Sequence, residues 1–175
     1  MRFVKTSQGS AAFTLVHISD FHLCRPGGAP PAGFLNKRIL SYLSWRVRRR
    51  RLHDPAVLDA LIRAVKAQSA DHVVVTGDLT QLSLPEEFDA ARQVLGAIGS
   101  ARNVFVIPGN HDALVPGGWQ ERLTRWADYM AGDGPDPSGR RWAPALRVRG
   151  PVALIGLSSA HPPPPFTAAR TVRAP

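Results

Sequence analysis

The chain of 175 residues is poor in cysteine and has no long apolar segment. Its single cysteine, Cys24, excludes a framework of disulfide bonds and is typical of a protein in a reducing compartment. No apolar run approaches the ~20 residues that a membrane-spanning helix requires. Residues 1–12 are small and polar, so they lack the apolar centre of a secretion signal. These absences predict a cytoplasmic protein, with residues 1–175 forming a single domain that can bury a core.

Acidic residues are scarce in the first third of the chain, where Asp20 is the only one before Asp54. The net charge is +9, and seven basic residues fall within residues 37–51. Residues 34–53 combine this charge with apolar residues at helical spacing, so we expect a basic amphipathic helix inserted in the domain. Such a segment favours an anionic partner, namely a phosphate ester, a nucleic acid or an anionic membrane surface, although a solvated helix face is the alternative.

Segments typical of β-strands alternate with segments typical of helices. Residues 13–19, 72–76 and 103–107 are short runs rich in β-branched and aromatic side chains. The last two lack alternation of polar and apolar residues, which predicts strands buried on both faces of a parallel sheet. Helical periodicity occupies the intervals, so the order of elements indicates βαβ units and an α/β fold.

Local signals place the ends of the helices. The first helix should begin at Asp54 and Pro55 and carry one apolar stripe. The stripe consists of Val57, Leu58, Leu61, Ile62 and Val65. The second should begin at a capping box formed by Ser83 and Glu86. Beyond the third strand we expect a helix over 119–131, a loop over 132–139 and two strands over 146–149 and 152–157.

Three polar motifs follow the three predicted strands. The first holds Asp20 and His22, whose side chains point the same way if the chain is extended. The second is Gly77-Asp78, and the third is Gly-Asn-His-Asp over residues 109–112. Four polar or flexible residues directly after a buried strand have no packing purpose. Each motif alone also fits a loop histidine, a capping or turn aspartate, or a turn asparagine.

In a parallel sheet the carboxyl ends of all strands lie at one edge, where open α/β sheets bind ligands. The side chains expected to converge there are Asp20, His22, Asp78, Asn110 and His111. Mixed oxygen and imidazole ligands suit Mn, Fe, Co or Zn, and one carboxylate can bridge two such ions. The three motifs together therefore predict a metal site.

These three motifs resemble the first three motifs of the calcineurin-like metallophosphoesterases. The resemblance extends from residue 13 to about residue 169, and residues 36–51 and 153–160 are most similar to a bacterial branch that includes cyclic-nucleotide phosphodiesterase-like proteins. It implies a layered α/β fold, with a β-sheet core and flanking helices. It also implies hydrolysis of a phosphomonoester or phosphodiester by a metal-activated water, at a site that holds two divalent transition-metal ions when complete.

The resemblance also implies a role for each site residue. The implied metal ligands are Asp20, His22, Asp78 and Asn110. Asp78 would bridge the two ions, and Asn110 would hold the second ion and face the substrate. His111 would contact the phosphate and stabilise its charge or protonate the leaving oxygen. Asp112 would orient His111, as carboxylates beside metal sites do.

The sequence departs from the family pattern after the third motif. The family continues with a further histidine and a Gly-His-x-His pair, whereas only His161 follows His111 here. His161 lies in a proline-rich segment and is better interpreted as a loop histidine than as a ligand. We therefore expect a domain that is incomplete at its C-terminus, with one metal ion or none tightly bound and little or no turnover. The alternatives are a basic anion-binding protein with a vestigial metal site, and a remnant that folds poorly.

Overall fold

The structure is a computed structural model that describes residues 2–6, 12–24, 55–135 and 144–162, the first of these ranges by its backbone alone. The predicted basic helix over 34–53 lies outside the described residues. None of the helices within the described ranges is long and apolar enough to cross a membrane.

Four strands form the main sheet. They are β1 (Arg2–Thr6), β2 (Phe13–Ile18), β3 (His72–Thr76) and β4 (Val104–Ile107). Their order in the sheet is β1-β2-β3-β4, and β2, β3 and β4 are parallel, as predicted. Strand β1 pairs antiparallel with β2 at the edge of the sheet. We did not predict this strand, because its backbone bonds to β2 do not depend on an apolar pattern.

Helices connect the parallel strands. Helix α1 (Pro55–Ala67) lies between β2 and β3, and α2 (Pro85–Ile98) lies between β3 and β4. The segment predicted as one helix over 119–131 is divided into three pieces. These are α3 (Trp119–Leu123), a 3₁₀ turn (Thr124–Trp126) and α4 (Ala127–Met130). The predicted α/β fold, a parallel sheet with flanking helices, is confirmed.

The two later strands form a separate antiparallel hairpin. Strand β5 (Ala145–Arg149) pairs with β6 (Val152–Gly156) through a turn at Gly150 and Pro151. Both strands differ from their predicted ranges by one residue at one end.

The core lies between the main sheet and the helices that pack against it. Val16, Val75 and Val106 come from the three parallel strands and are fully buried. Phe88 of α2 stacks on Trp126 with ring centroids 4.8 Å apart, and the Trp126 indole donates a hydrogen bond of 3.0 Å to the Phe88 carbonyl. Trp126 is therefore a packing residue of the core.

Two local predictions about the helices were wrong. Val57 is 63% exposed, because it lies at the border of the α1 stripe, whose other members pack against the core. The capping box is not formed by Ser83 and Glu86. Since Pro85 is the first residue of α2, the carboxylate that reaches back belongs to Glu87, which accepts a hydrogen bond from the Leu84 amide (3.1 Å).

A buried arginine holds the hairpin to the rest of the molecule. The Arg147 side chain is 3% exposed and donates to five backbone carbonyls. They belong to Ala101, Val104, Asp128, Tyr129 and Ala131. Its guanidinium carbon also lies 4.5 Å from the centroid of the Phe105 ring. Burial, and then the charge of Arg149, lower the pKa of Arg147 to about 10, so it remains charged at neutral pH.

The first residue of β3, His72, is fully buried. Its burial gives it a structural place in the sheet. Burial lowers the pKa of His72 to about 4, and the charges of Arg149 and Arg147 act in the same direction. His72 is therefore neutral at physiological pH.

Candidate metal centre

The loops that follow β2 and β3 are joined by backbone hydrogen bonds. The Asp20 amide donates to the Gly77 carbonyl (3.1 Å), and the His22 amide donates to the Asp78 carbonyl (2.9 Å). The Leu23 amide continues the series by donating to the Leu79 carbonyl (2.7 Å). Parallel pairing of the two strands thus extends beyond their ends, and it places the first two motifs side by side.

The loop that follows β4 crosses the loop that follows β3 in direct backbone contact. A Cβ atom on Gly77 would overlap the backbone of Gly109, and a Cβ atom on Gly109 would overlap Asp78. Gly77 also has a φ of 77°, in the left-handed region that favours glycine. Glycine is therefore required at both positions for the second and third motifs to meet.

Backbone strain is concentrated in these loops. Asp20, His22 and Asp78 have φ values of 62°, 47° and 55°, although none of them is a glycine. Each such residue costs roughly 1 kcal/mol or more, and it persists only where the surrounding structure holds it. Strain of this kind often occurs at functional sites, and here it falls on the three residues that carry the predicted ligands.

These three side chains form a cluster with the chemistry of a metal site. Asp20, His22 and Asp78 each offer one ligand atom, and the atoms lie within 4.8 Å of one another. His22 Nε2 is 3.5 Å from Asp20 Oδ1, and the side chains are 14% and 61% exposed respectively. Among the side chains that the structure describes, no other group of three histidine, cysteine or acidic residues could hold a metal. Two carboxylates and one imidazole fit a divalent transition metal.

Asp78 is tied to the third motif through its carboxylate. The backbone amide of His111 donates to Asp78 Oδ1 (2.9 Å), and the Asp78 side chain is buried. The structure therefore brings His111 next to the cluster, as the positions of the motifs predicted. Asn110 is half-buried at the same sheet edge, between Gly109 and His111.

The buried carboxylate of Asp112 joins the loop after β3 to the loop after β4. It accepts hydrogen bonds from the amides of Gly109 (2.8 Å), Asp78 (3.0 Å) and Thr80 (2.9 Å), and from the Thr80 hydroxyl (2.9 Å). Burial raises the pKa of Asp112 to about 7, and the hydrogen bonds from Gly109 and Thr80 act in the opposite direction. These bonds join the backbones of the second and third motifs, which differs from the direct orienting role that the resemblance implies.

The imidazole of His111 is held by a backbone carbonyl instead. His111 Nδ1 lies 2.9 Å from the Gln81 carbonyl oxygen, and since a carbonyl only accepts, Nδ1 carries the hydrogen. The ring meets the His22 ring edge to face, with centroids 4.7 Å apart. Nε2 is then the ring nitrogen that can meet a substrate. Neither Gln81 nor its neighbours could be recognised from a motif, because the contact uses main-chain atoms.

The other histidines and the cysteine lie outside the cluster. His161 is half-buried, and its Nδ1 contacts the Ser159 carbonyl (3.1 Å), which fits the interpretation as a loop histidine. His17 lies within β2, and its Nε2 forms a hydrogen bond of 2.7 Å with the Thr76 hydroxyl. Burial, followed by the nearby Glu87, raises the pKa of Cys24 far above its usual range, so its thiol is inert at neutral pH.

Comparison with known proteins adds independent information. A family model described as calcineurin-like phosphoesterase matches residues 13–160. A curated relative, glycerophosphodiester phosphodiesterase GpdQ from Enterobacter lignolyticus (strain SCF1), is 52% identical over 42 residues. That stretch spans 24% of this chain and 14% of the relative.

Proposed function

Because this chain belongs to the calcineurin-like phosphoesterase family, we propose that it hydrolyses a phosphate ester with water activated at the Asp20/His22/Asp78 cluster. The observation that carries the proposal is the convergence of these three ligand atoms within 4.8 Å, from two loops far apart in sequence. The short similarity to a glycerophosphodiester phosphodiesterase supports a phosphodiester as the first substrate to test.

The family uses a dinuclear metal site, and the donor atoms present here suit such ions. Asp20, His22 and Asp78 would hold the first ion, while Asp78 and Asn110 would contribute to the second. Bound divalent ions supply positive charge that makes water acidic enough to attack near neutral pH and neutralises phosphate oxygens. Because the described side chains provide one group of three ligands, we expect one ion at most to bind tightly.

The protein's own residues position the substrate. His111 keeps its Nδ1 hydrogen on the Gln81 carbonyl, so Nε2 is available to a phosphate or leaving-group oxygen. In its protonated form Nε2 donates a hydrogen bond to that oxygen and can pass it a proton as the ester bond breaks. Asn110 lies beside it and offers an amide to the phosphate. Asp112 maintains the crossing of the two loops on which these side chains depend.

The test uses metal-free protein. We would titrate it with Mn²⁺ or Co²⁺ and follow binding directly, then measure hydrolysis of a chromogenic phosphodiester and monoester. Asp78→Asn keeps the size of the side chain and an acceptor for the His111 amide, but removes the charge. Asp89→Asn is the matched control, since Asp89 is exposed on α2 and pairs with Arg125 on the surface. We expect Asp78→Asn alone to weaken metal binding, by roughly 10-fold or more.

Equal metal affinity in Asp78→Asn, Asp89→Asn and the unaltered protein would contradict the site. Metal binding without hydrolysis of either ester would contradict the proposed reaction and leave the site intact, and it would agree with the low turnover expected from the sequence. The alternative function is binding of an anionic polymer through residues 37–51, and these residues lie outside the described ranges. It predicts affinity for random oligonucleotides that falls steeply with salt concentration and does not depend on metal.

A further inference from the structure

A buried glutamate that has no role in the proposed reaction is bonded to the loop that follows the second motif. Glu87, in the first turn of α2, is fully buried, whereas its neighbour Glu86 is exposed. One Glu87 oxygen, Oε2, accepts from the Leu84 amide (3.1 Å) and from the Leu82 amide (2.8 Å). Burial of a carboxylate costs free energy unless hydrogen bonds satisfy it, so the two bonds to Glu87 are important for the stability of this region.

Helix capping explains only one of the two bonds. A glutamate three residues into a helix ordinarily reaches back to the amide of the capping residue, here Leu84. The shorter bond goes to Leu82, which lies outside the helix. Glu87 therefore fixes the 81–84 loop as well as the helix that follows it.

The same loop holds His111. The Gln81 carbonyl accepts the His111 Nδ1 hydrogen, and the Gln81 amide donates to the Leu23 carbonyl (3.1 Å). At the other end of the loop, Ser83 has a φ of 56° and its hydroxyl donates to the Asp112 carbonyl (3.1 Å). The loop is thus hydrogen-bonded to His111 and Asp112 of the third motif and to Leu23, the residue after the first motif.

We propose that Glu87 is a positioning residue for His111. Its carboxylate holds the 81–84 loop, the Gln81 carbonyl in that loop holds the Nδ1 hydrogen, and the imidazole is thereby kept in the tautomer with Nε2 available to substrate. The use of that tautomer in hydrolysis rests on the proposed function, but the tautomer itself is a property of the metal-free chain.

The tautomer is measured by ¹⁵N NMR of the imidazole nitrogens in metal-free protein, at a pH where His111 is neutral. We expect one tautomer, with hydrogen on Nδ1, in the unaltered protein. Glu87→Ala removes the acceptor that the two amides share, and we expect it to populate both tautomers. Glu87→Gln retains an oxygen acceptor and should preserve most of the Nδ1 form. Glu86→Gln is the matched control and should change nothing.

A Glu87→Ala protein that keeps the amide spectrum of its sheet and a single Nδ1 tautomer would overturn the inference. If that variant does not fold, Glu87→Asp replaces it, because aspartate retains a carboxyl group but withdraws the acceptor by one methylene. An unchanged tautomer in a folded Glu87→Asp protein counts against the inference in the same way.

Measurement of kcat and KM distinguishes failure of this inference from failure of the proposed function. With an active protein, we expect Glu87→Ala to lower kcat by roughly 10-fold while KM changes little, since misplacement of a catalytic group affects the transition state. A shifted tautomer in a chain that hydrolyses nothing would support the positioning role and contradict the function. If the unaltered chain is active and Glu87→Ala changes neither the tautomer nor kcat, the proposed function is supported and the positioning role is contradicted.

Discussion

Replacement of Arg147 by methionine tests how the hairpin is attached. The side chain donates to five carbonyls, and the bonds to Val104 and Tyr129 are buried. Each buried carbonyl left without a donor costs ~1–3 kcal/mol, which gives roughly 2–6 kcal/mol for two. Removal of a buried charge recovers part of this, because the charge no longer has to be desolvated. We therefore expect Arg147→Met to lower the free energy of unfolding by about 3 kcal/mol.

Urea unfolding of metal-free protein, followed by tryptophan fluorescence, measures the effect. With a slope of ~1.5 kcal/mol per molar urea, the midpoint should fall by about 2 M. Arg125→Met is the control, because Arg125 is partly exposed and pairs with Asp89 on the surface, where such a pair contributes about 0–1 kcal/mol. Equal and small losses in the two variants would refute the assignment of Arg147 as the anchor of the hairpin.

Three further predictions concern the metal centre and its support. Gly109→Ala should abolish metal binding, because its Cβ would overlap Asp78, while Gly134→Ala, in open space, should leave binding unchanged in the same titration. His72 has a folded pKa of about 4 against an ordinary 6.5, so its contribution to stability is complete above pH 6.5 and is lost as pH falls toward 4. That loss is roughly 3 kcal/mol. Because Asp112 titrates in the same range with the opposite effect, the loss should appear as the difference in pH dependence between the unaltered protein and His72→Leu, measured by urea unfolding at several pH values. Asp20→Asn should weaken metal binding less than Asp78→Asn does, because Asp20 is largely exposed whereas Asp78 is buried, and calorimetric titration with Co²⁺ would reveal equal losses if this reasoning is wrong.

The order of strands and helices could be predicted because buried faces require apolar residues at the spacing of a strand or a helix. The runs at 72–76 and 103–107 lack alternation of polar and apolar residues, which is the pattern of central parallel strands. The convergence of Asp20, His22 and Asp78 followed from that prediction, since parallel strands end at one edge. Strand β1 escaped prediction because edge pairing requires only backbone hydrogen bonds.

The contacts that support the site could not be predicted in the same way. Glu86 and Glu87 are adjacent in sequence and chemically identical, and only the helix start at Pro85 decides which one is buried. The partner of the His111 ring is a main-chain carbonyl of Gln81, thirty positions away along the chain, which no side-chain pattern records.

The sequence by itself determined the family, the α/β architecture and the convergence of Asp20, His22 and Asp78 at one edge of the sheet, because strand periodicity and polar motifs at strand ends are local properties. Only the tertiary structure decided that Arg147 anchors the hairpin, that His72 is buried and neutral, that Glu87 is buried against the 81–84 loop, and that the Gln81 carbonyl holds the His111 ring. These depend on distances between atoms remote in sequence. Burial and hydrogen-bond geometry arise only after the chain has packed.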